Sequence, residues 1–290
     1  MRGHRARRRG RGRALGGDTI LSADDKAGVA AIFEGVRSAV ESGSPRPDVT
    51  VLLTTCEEQH LLGSSALADG LLPAGAPCYV LDADGAPGTI ITGAPCHWSL
   101  NATFSGRAAH AGVCPEEGVS AIAMAAAAVS SMPLGRLDEA TTANVGFIEG
   151  GGATNVVPDT CALAGECRSL YAERAEAQKA AMTEALEAAA ARFGGAVSIE
   201  WTKSYDAVLF DEEDELVQAI VRASRAAGLE PRFHRSGGGS DANVLAARGV
   251  RPVTLGVGMA AFHSVDEHIA VDDLEGAARL VEALIAEGAQ

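Results

Sequence analysis

The sequence contains no uninterrupted apolar run of the roughly 18 residues that a membrane-spanning helix needs, and its mean hydropathy is close to zero. Both facts argue against a transmembrane segment and a membrane partner. No two of its six cysteines form a Cys-x-x-Cys pair, and most lie within apolar, strand-like runs. The N-terminus lacks the apolar stretch of a secretory signal. The expectation is a cytoplasmic protein with reduced, buried thiols. There are no internal repeats, and no P-loop lysine follows the glycine run Gly237–Gly239.

What is present is a chain of 290 residues, 47% hydrophobic, enough for one large domain or two modest ones. The formal net charge is -14, but it is unevenly placed. Residues 2–13 read RGHRARRRGRGR and hold seven of the 24 Lys+Arg with no acid. The remainder is therefore strongly acidic and repels nucleic acid, so no nucleic-acid partner is expected for the folded part. Residues 1–13 read as a basic, disordered tail.

Alternating element signals define the expected architecture. Val29, Ile32, Phe33, Val36 and Val40 fall at helical spacing. DVTVLLTT (48–55) is a continuous apolar run suited to a central strand buried on both faces. CYVLDADG (78–85) reads as a strand ending in a turn. From residue 96 the texture changes: a strand, a helix near 117–131, strands near 143–149 and 160–169, a helix at 173–192 and a strand near 197–204. After 208 a helix, a Gly-rich turn, the strand PVTLGVG and a closing helix restore the α/β pattern. The predicted fold class is an α/β catalytic domain with a mixed sheet flanked by helices, at 14–95 plus 208–290. An inserted α+β lid or dimerisation domain at 96–207 interrupts it.

Three acidic clusters follow strand-like runs or turns: Asp24-Asp25, Glu57-Glu58, and Asp82 with Asp84. Taken singly, each reads as a helix cap or a solvated turn. Together, at the carboxyl ends of strands in an open sheet, they would repel one another unless neutralised. Divalent cations held by Asp, Glu and His are the economical solution. His263 follows an apolar strand and precedes Glu267 by four residues.

Several segments then carry a specific resemblance: LSADDKAGVA, TTCEEQHLLGSSAL, YVLDADGAPGTI, GRAAHAGVCPEEGVSAI, GATNVVPDTCALAGECRS, GGGSDAN and FHSVDEHI. In order and spacing they resemble the peptidase T-like (tripeptide aminopeptidase) family of di-zinc metallopeptidases, over about residues 15–287. The resemblance implies that Asp24 bridges two Zn2+ ions and precedes a non-proline cis peptide. It implies that Glu58 and His263 hold one metal and Asp82 the other, with Asp84 as a rival for Asp82. Co2+ or Mn2+ are alternative metals. Glu57 would be the general base acting on a zinc-bound water. His110 would reach the active site of a partner in a homodimer formed through the inserted domain, stabilising the oxyanion. Asn155 and Arg168 would bind the peptide backbone or carboxylate, Arg through its bidentate fork. Asn243, in the Gly-rich wall, would lie near the short peptide substrate.

One departure stands out. The family carries a His-x-Asp motif upstream, and none occurs here before residue 24. The expectation is an N-terminally truncated or mis-started chain whose second metal site, left with Asp24 and Asp82, is weakened. The function implied is metal-dependent hydrolysis of short peptides. The alternatives are a related amidohydrolase or carboxypeptidase acting on N-acyl or C-terminal amino acids, or a catalytically inactive homologue that binds peptides.

Overall fold

A computed structural model describes residues 7–9, 12–14 and 19–289. It divides into two compact units. The first takes the chain up to Ala94, Val208–Ser236 and from Ser240 onward; the second takes Pro95–Ala207 with Gly237–Gly239.

The first unit is built on a mixed sheet. Pro77–Ala83 runs parallel to Arg251–Gly256, with Val253 opposite Tyr79. Thr89–Ala94 runs antiparallel to Arg251–Gly256 and parallel to Arg232–Arg235. Every residue of Thr89–Ala94 is buried, as its unbroken apolar and β-branched character requires of a strand covered on both faces. Helices Ala23–Glu41, Glu215–Ala226 and Val271–Glu287 close the core through Val217, Ile220, Leu280 and Leu284, which pack with Ile90 and Leu255.

Two expectations about this unit need correction. Helix Ala23–Glu41 forms as expected, and Ile32 and Val36 pack on the core, but its fully buried stripe is Ala27, Ala31, Gly35 and Ala39, while Phe33 is 58% and Val40 51% exposed. The cause is proximity. A Cβ on Gly35 would stand 2.6 Å from the Cβ of Val281, so only small residues admit the closing helix so near. The second correction concerns residues 48–55, which form no strand; Val49, Val51 and Leu53 are 41–46% exposed. An apolar run becomes a central strand only when neighbours accept its backbone hydrogen bonds. No described strand pairs with this one.

Part of the basic head is also ordered into strands. Arg7–Arg9 pairs with Gly12–Ala14, which in turn pairs with His268–Ala270. The rest of the tail expected at 1–13 lies outside the described residues.

The second unit is a five-stranded antiparallel sheet. Its spatial order is Gly135–Arg136, Thr141–Gly150, Thr160–Ser169, Cys96–Ser105 and Ala196–Tyr205. Leu100, Ala102 and Phe104 are buried while Asn101, Thr103 and Ser105 are exposed, so one face carries the core. Helices Ala121–Ser131 and Ala172–Phe193 cover that face with Met124, Ala128, Met182 and Leu186. Among the described residues no helix is long and apolar enough to cross a membrane.

Candidate metal centre

Three loops of the first unit bring acids and a histidine together. Asp24 sits at the mouth of helix Ala23–Glu41, where Asp24 and Asp25 have non-helical dihedrals and the peptide between them is cis. Asp25 turns inward, and its Oδ1 accepts the Gly28 N–H at 2.9 Å, as a helix-capping carboxylate does. Asp24 faces the other way. Its Oδ2 lies 3.2 Å from His263 Nε2, and Glu58 Oε1 lies 2.7 Å from the same nitrogen. One ligand atom from each of Asp24, Glu58 and His263 lies within 4.8 Å of the others.

The electrostatics around this group are those of a crowded carboxylate pocket. Burial, the neighbouring Glu58 and a hydrogen bond with it raise Asp24 despite the opposing charge of His263. Burial, with Asp241, Glu58 and Asp24, pushes Glu57 up to about 7. Burial, with Asp24 and Glu57 outweighing the Gly28 hydrogen bond, pushes Asp25 up to about 7. Asp82, at the end of strand Pro77–Ala83, is raised most, to about 9, by burial and then by Asp25, Glu57, Asp24 and Asp241. For His263, burial works against the imidazolium. The hydrogen bond to Glu58 and the charges of Glu58 and Asp24 outweigh it and raise the ring above its ordinary value. Such a set must hold protons or a cation, and a divalent ion would reverse these shifts. Carboxylate oxygens with one imidazole nitrogen are donors that zinc accepts, so the residues fit a metal. Asp82 is outside the three-donor group and adjoins it through Asp24 and Asp25.

Two buried carboxylates shape the pocket without joining the donor group. Asp241 is 6% exposed. Its Oδ2 accepts from the Thr54 hydroxyl and its Oδ1 from the Ser64 hydroxyl, each at 2.5 Å. The two hydroxyls bracket the loop that carries Glu57 and Glu58, so Asp241 anchors it. Glu267, fully buried, accepts backbone N–H groups from Ser22 and Asp24. Asp241 lies in the GGGSDAN run and Glu267 in the DE pair after His263, and the local sequence gives neither acid a part. Their only signal was adjacency to the motifs.

The remaining expected residues divide between the units. Asn243 is 1% exposed, and its Oδ1 accepts the Ser240 N–H within a capping box that starts helix Asp241–Ala247. Its buried side chain thus serves the helix cap. His110 and Asn155 lie side by side in the second unit, joined by the Ala111 N–H to Asn155 carbonyl bond of 2.9 Å, and both are exposed. Arg168 donates to both oxygens of Glu166 at 3.0 Å. His97 Nε2 meets the same carboxylate at 2.9 Å, and His97 Nδ1 meets Ser204 Oγ at 2.8 Å. His97 is therefore part of a network with Glu166, Arg168 and Ser204 on the sheet face turned away from the helices.

Comparison with known proteins points one way. Residues 9–287 match Peptidase family M20/M25/M40. The chain is 42% identical over 274 residues to YqjE of Bacillus subtilis, covering 94% of this chain and 74% of that protein. Aminopeptidase PepT from Bacillus cereus superposes with a TM-score of 0.92 at 43% identity, over 99% of this chain and 77% of that one. A tripeptidase from Staphylococcus aureus gives 0.94 at 36% identity, over 99% and 76%. The chain spans less of some other relatives: 38% of succinyl-diaminopimelate desuccinylase from Acinetobacter baylyi, at 34% identity over 148 residues.

Proposed function

Because the chain belongs to peptidase family M20/M25/M40 and is peptidase T-like within it, we propose that it is a zinc-dependent hydrolase of short peptides, removing residues from a free amino terminus. The observation that carries this reading is the convergence of Asp24, Glu58 and His263 beside Glu57. Asp24, Glu58 and His263 would hold one Zn2+; Asp24 and Asp82 would hold a second, more weakly. When bound, zinc acidifies water and polarises a carbonyl.

Glu57 is the general base of this reading. It is not in the three-donor group, so its carboxylate stays free to take a proton from water and return it to the leaving amine. His110, Asn155 and Arg168 take substrate-binding roles by the same resemblance, and the second unit would form a homodimer. An edge strand supports that last point: only two residues of Thr141–Gly150 pair with Gly135–Arg136, and Phe147 and Ile148 are half-exposed.

A second reading has one observation in its favour. The match to succinyl-diaminopimelate desuccinylase raises an N-acyl amino acid substrate in place of a free peptide. Turnover of a free tripeptide and of an N-succinyl amino acid, with and without added Zn2+, separates the two. The expected result is zinc-dependent cleavage of the tripeptide that Glu57→Gln lowers by about 10²–10⁴-fold. Undiminished turnover by Glu57→Gln would overturn the role of Glu57 as general base, and peptide binding with no turnover would overturn the hydrolase reading.

A further inference from the structure

Among the described residues, Glu267 is the one fully buried acid whose two oxygens both accept from the loop bearing Asp24. It is 0% exposed, and buried carboxyl oxygens need matching hydrogen-bond donors. Here the match comes from backbone. Oε1 accepts the Asp24 N–H at 2.9 Å and Oε2 accepts the Ser22 N–H. Its own end of the contact is held by a turn. The Glu267 N–H donates to the Ser264 carbonyl at 3.2 Å, and the Ser264 hydroxyl donates to the Ala261 carbonyl at 2.6 Å. His263 lies within that turn, with φ at +60°.

Glu267 therefore ties together two loops that each present a donor atom to one point. A carboxylate accepts at two oxygens and donates at neither, which suits a fork of two N–H groups. An amide of the same shape would turn an NH2 toward one of them. We propose that Glu267 is a positioning residue: by clamping the Ser22 and Asp24 amides onto the His263 turn, it sets the Asp24 to His263 spacing and so the affinity of the metal centre. This rests on the metal-binding reading of Asp24, Glu58 and His263.

The test is Zn2+ affinity, measured by competition with a chelator in a calorimeter, on the full chain. Glu267→Gln should weaken zinc binding by about 10–100-fold, the range for residues that orient metal ligands. Glu267→Asp keeps the charge but is too short to reach both amides, and should lose less; it also serves if Glu267→Gln does not fold. Met182→Ala, fully buried in the second unit, should lower the thermal midpoint and leave zinc affinity unchanged. Wild-type affinity in folded Glu267→Gln would overturn the proposal. So would an equal loss in Met182→Ala, which would make the effect one of general stability. A wild-type chain that takes up no zinc would give flat titrations throughout; that outcome removes the metal reading itself and this role with it.

Discussion

Breaking the anchor under the Glu57–Glu58 loop should cost both stability and catalysis, and the cost can be worked from its bonds. Asp241 and Ser64 are buried, and their 2.5 Å contact is joined by the Thr54 contact to the other carboxylate oxygen. A hydrogen bond to a charged group contributes about 1.5–3 kcal/mol. Ser64→Ala removes one such bond and should cost about 2 kcal/mol. Asp241→Ala removes two and opens a small void, so about 4 kcal/mol is expected. In the double variant the Asp241–Ser64 bond is lost only once, so the two costs should fall short of additivity by about 1.5–3 kcal/mol. Urea denaturation of the four proteins measures this. Because the same loop carries Glu57 and Glu58, kcat should fall in Asp241→Ala at a temperature where the variant is folded. Strict additivity, or an Asp241→Ala cost below about 1 kcal/mol, would show that these bonds do not hold the loop and would refute the reasoning.

Further predictions follow from other parts of the fold. The His97 hydrogen bond holds Glu166 near 2, with Arg168 adding to it against burial. A carboxyl lowered on folding stabilises above its unfolded value of 4.5 and loses that contribution as pH falls through about 2. With a third of the side chain exposed, the contribution should be near 1 kcal/mol after solvent screening. The stability gap between wild type and Glu166→Gln should therefore narrow from about pH 5 downward; a gap independent of pH would contradict it. His60 is exposed with φ at +61°, a left-handed conformation that glycine adopts without steric cost. His60→Gly should stabilise the chain by about 0.5–1 kcal/mol in chemical denaturation, the steric relief exceeding the extra chain entropy; a net loss would mean that the ring makes contacts of its own value.

Periodicity and motif order carried much of this protein. The alternation in Cys96–Ser105 and the Ala/Glu pattern of Ala172–Phe193 are local properties, and both elements form where they were expected. The acid clusters and His263 could be named from neighbouring residues alone, and Asp24, Glu58 and His263 do meet. Distance along the chain hid the rest. The contacts of Asp241 and Glu267 span 177 to 245 residues, and no local pattern reports a partner so remote. Helical spacing grouped Phe33 and Val40 with Ile32 and Val36, of which only the latter two pack on the core, and the approach of Val281 to Gly35 puts small residues at the closest contact. The apolar run at 48–55 had the composition of a strand, yet a ladder is a property of two segments, and composition describes one.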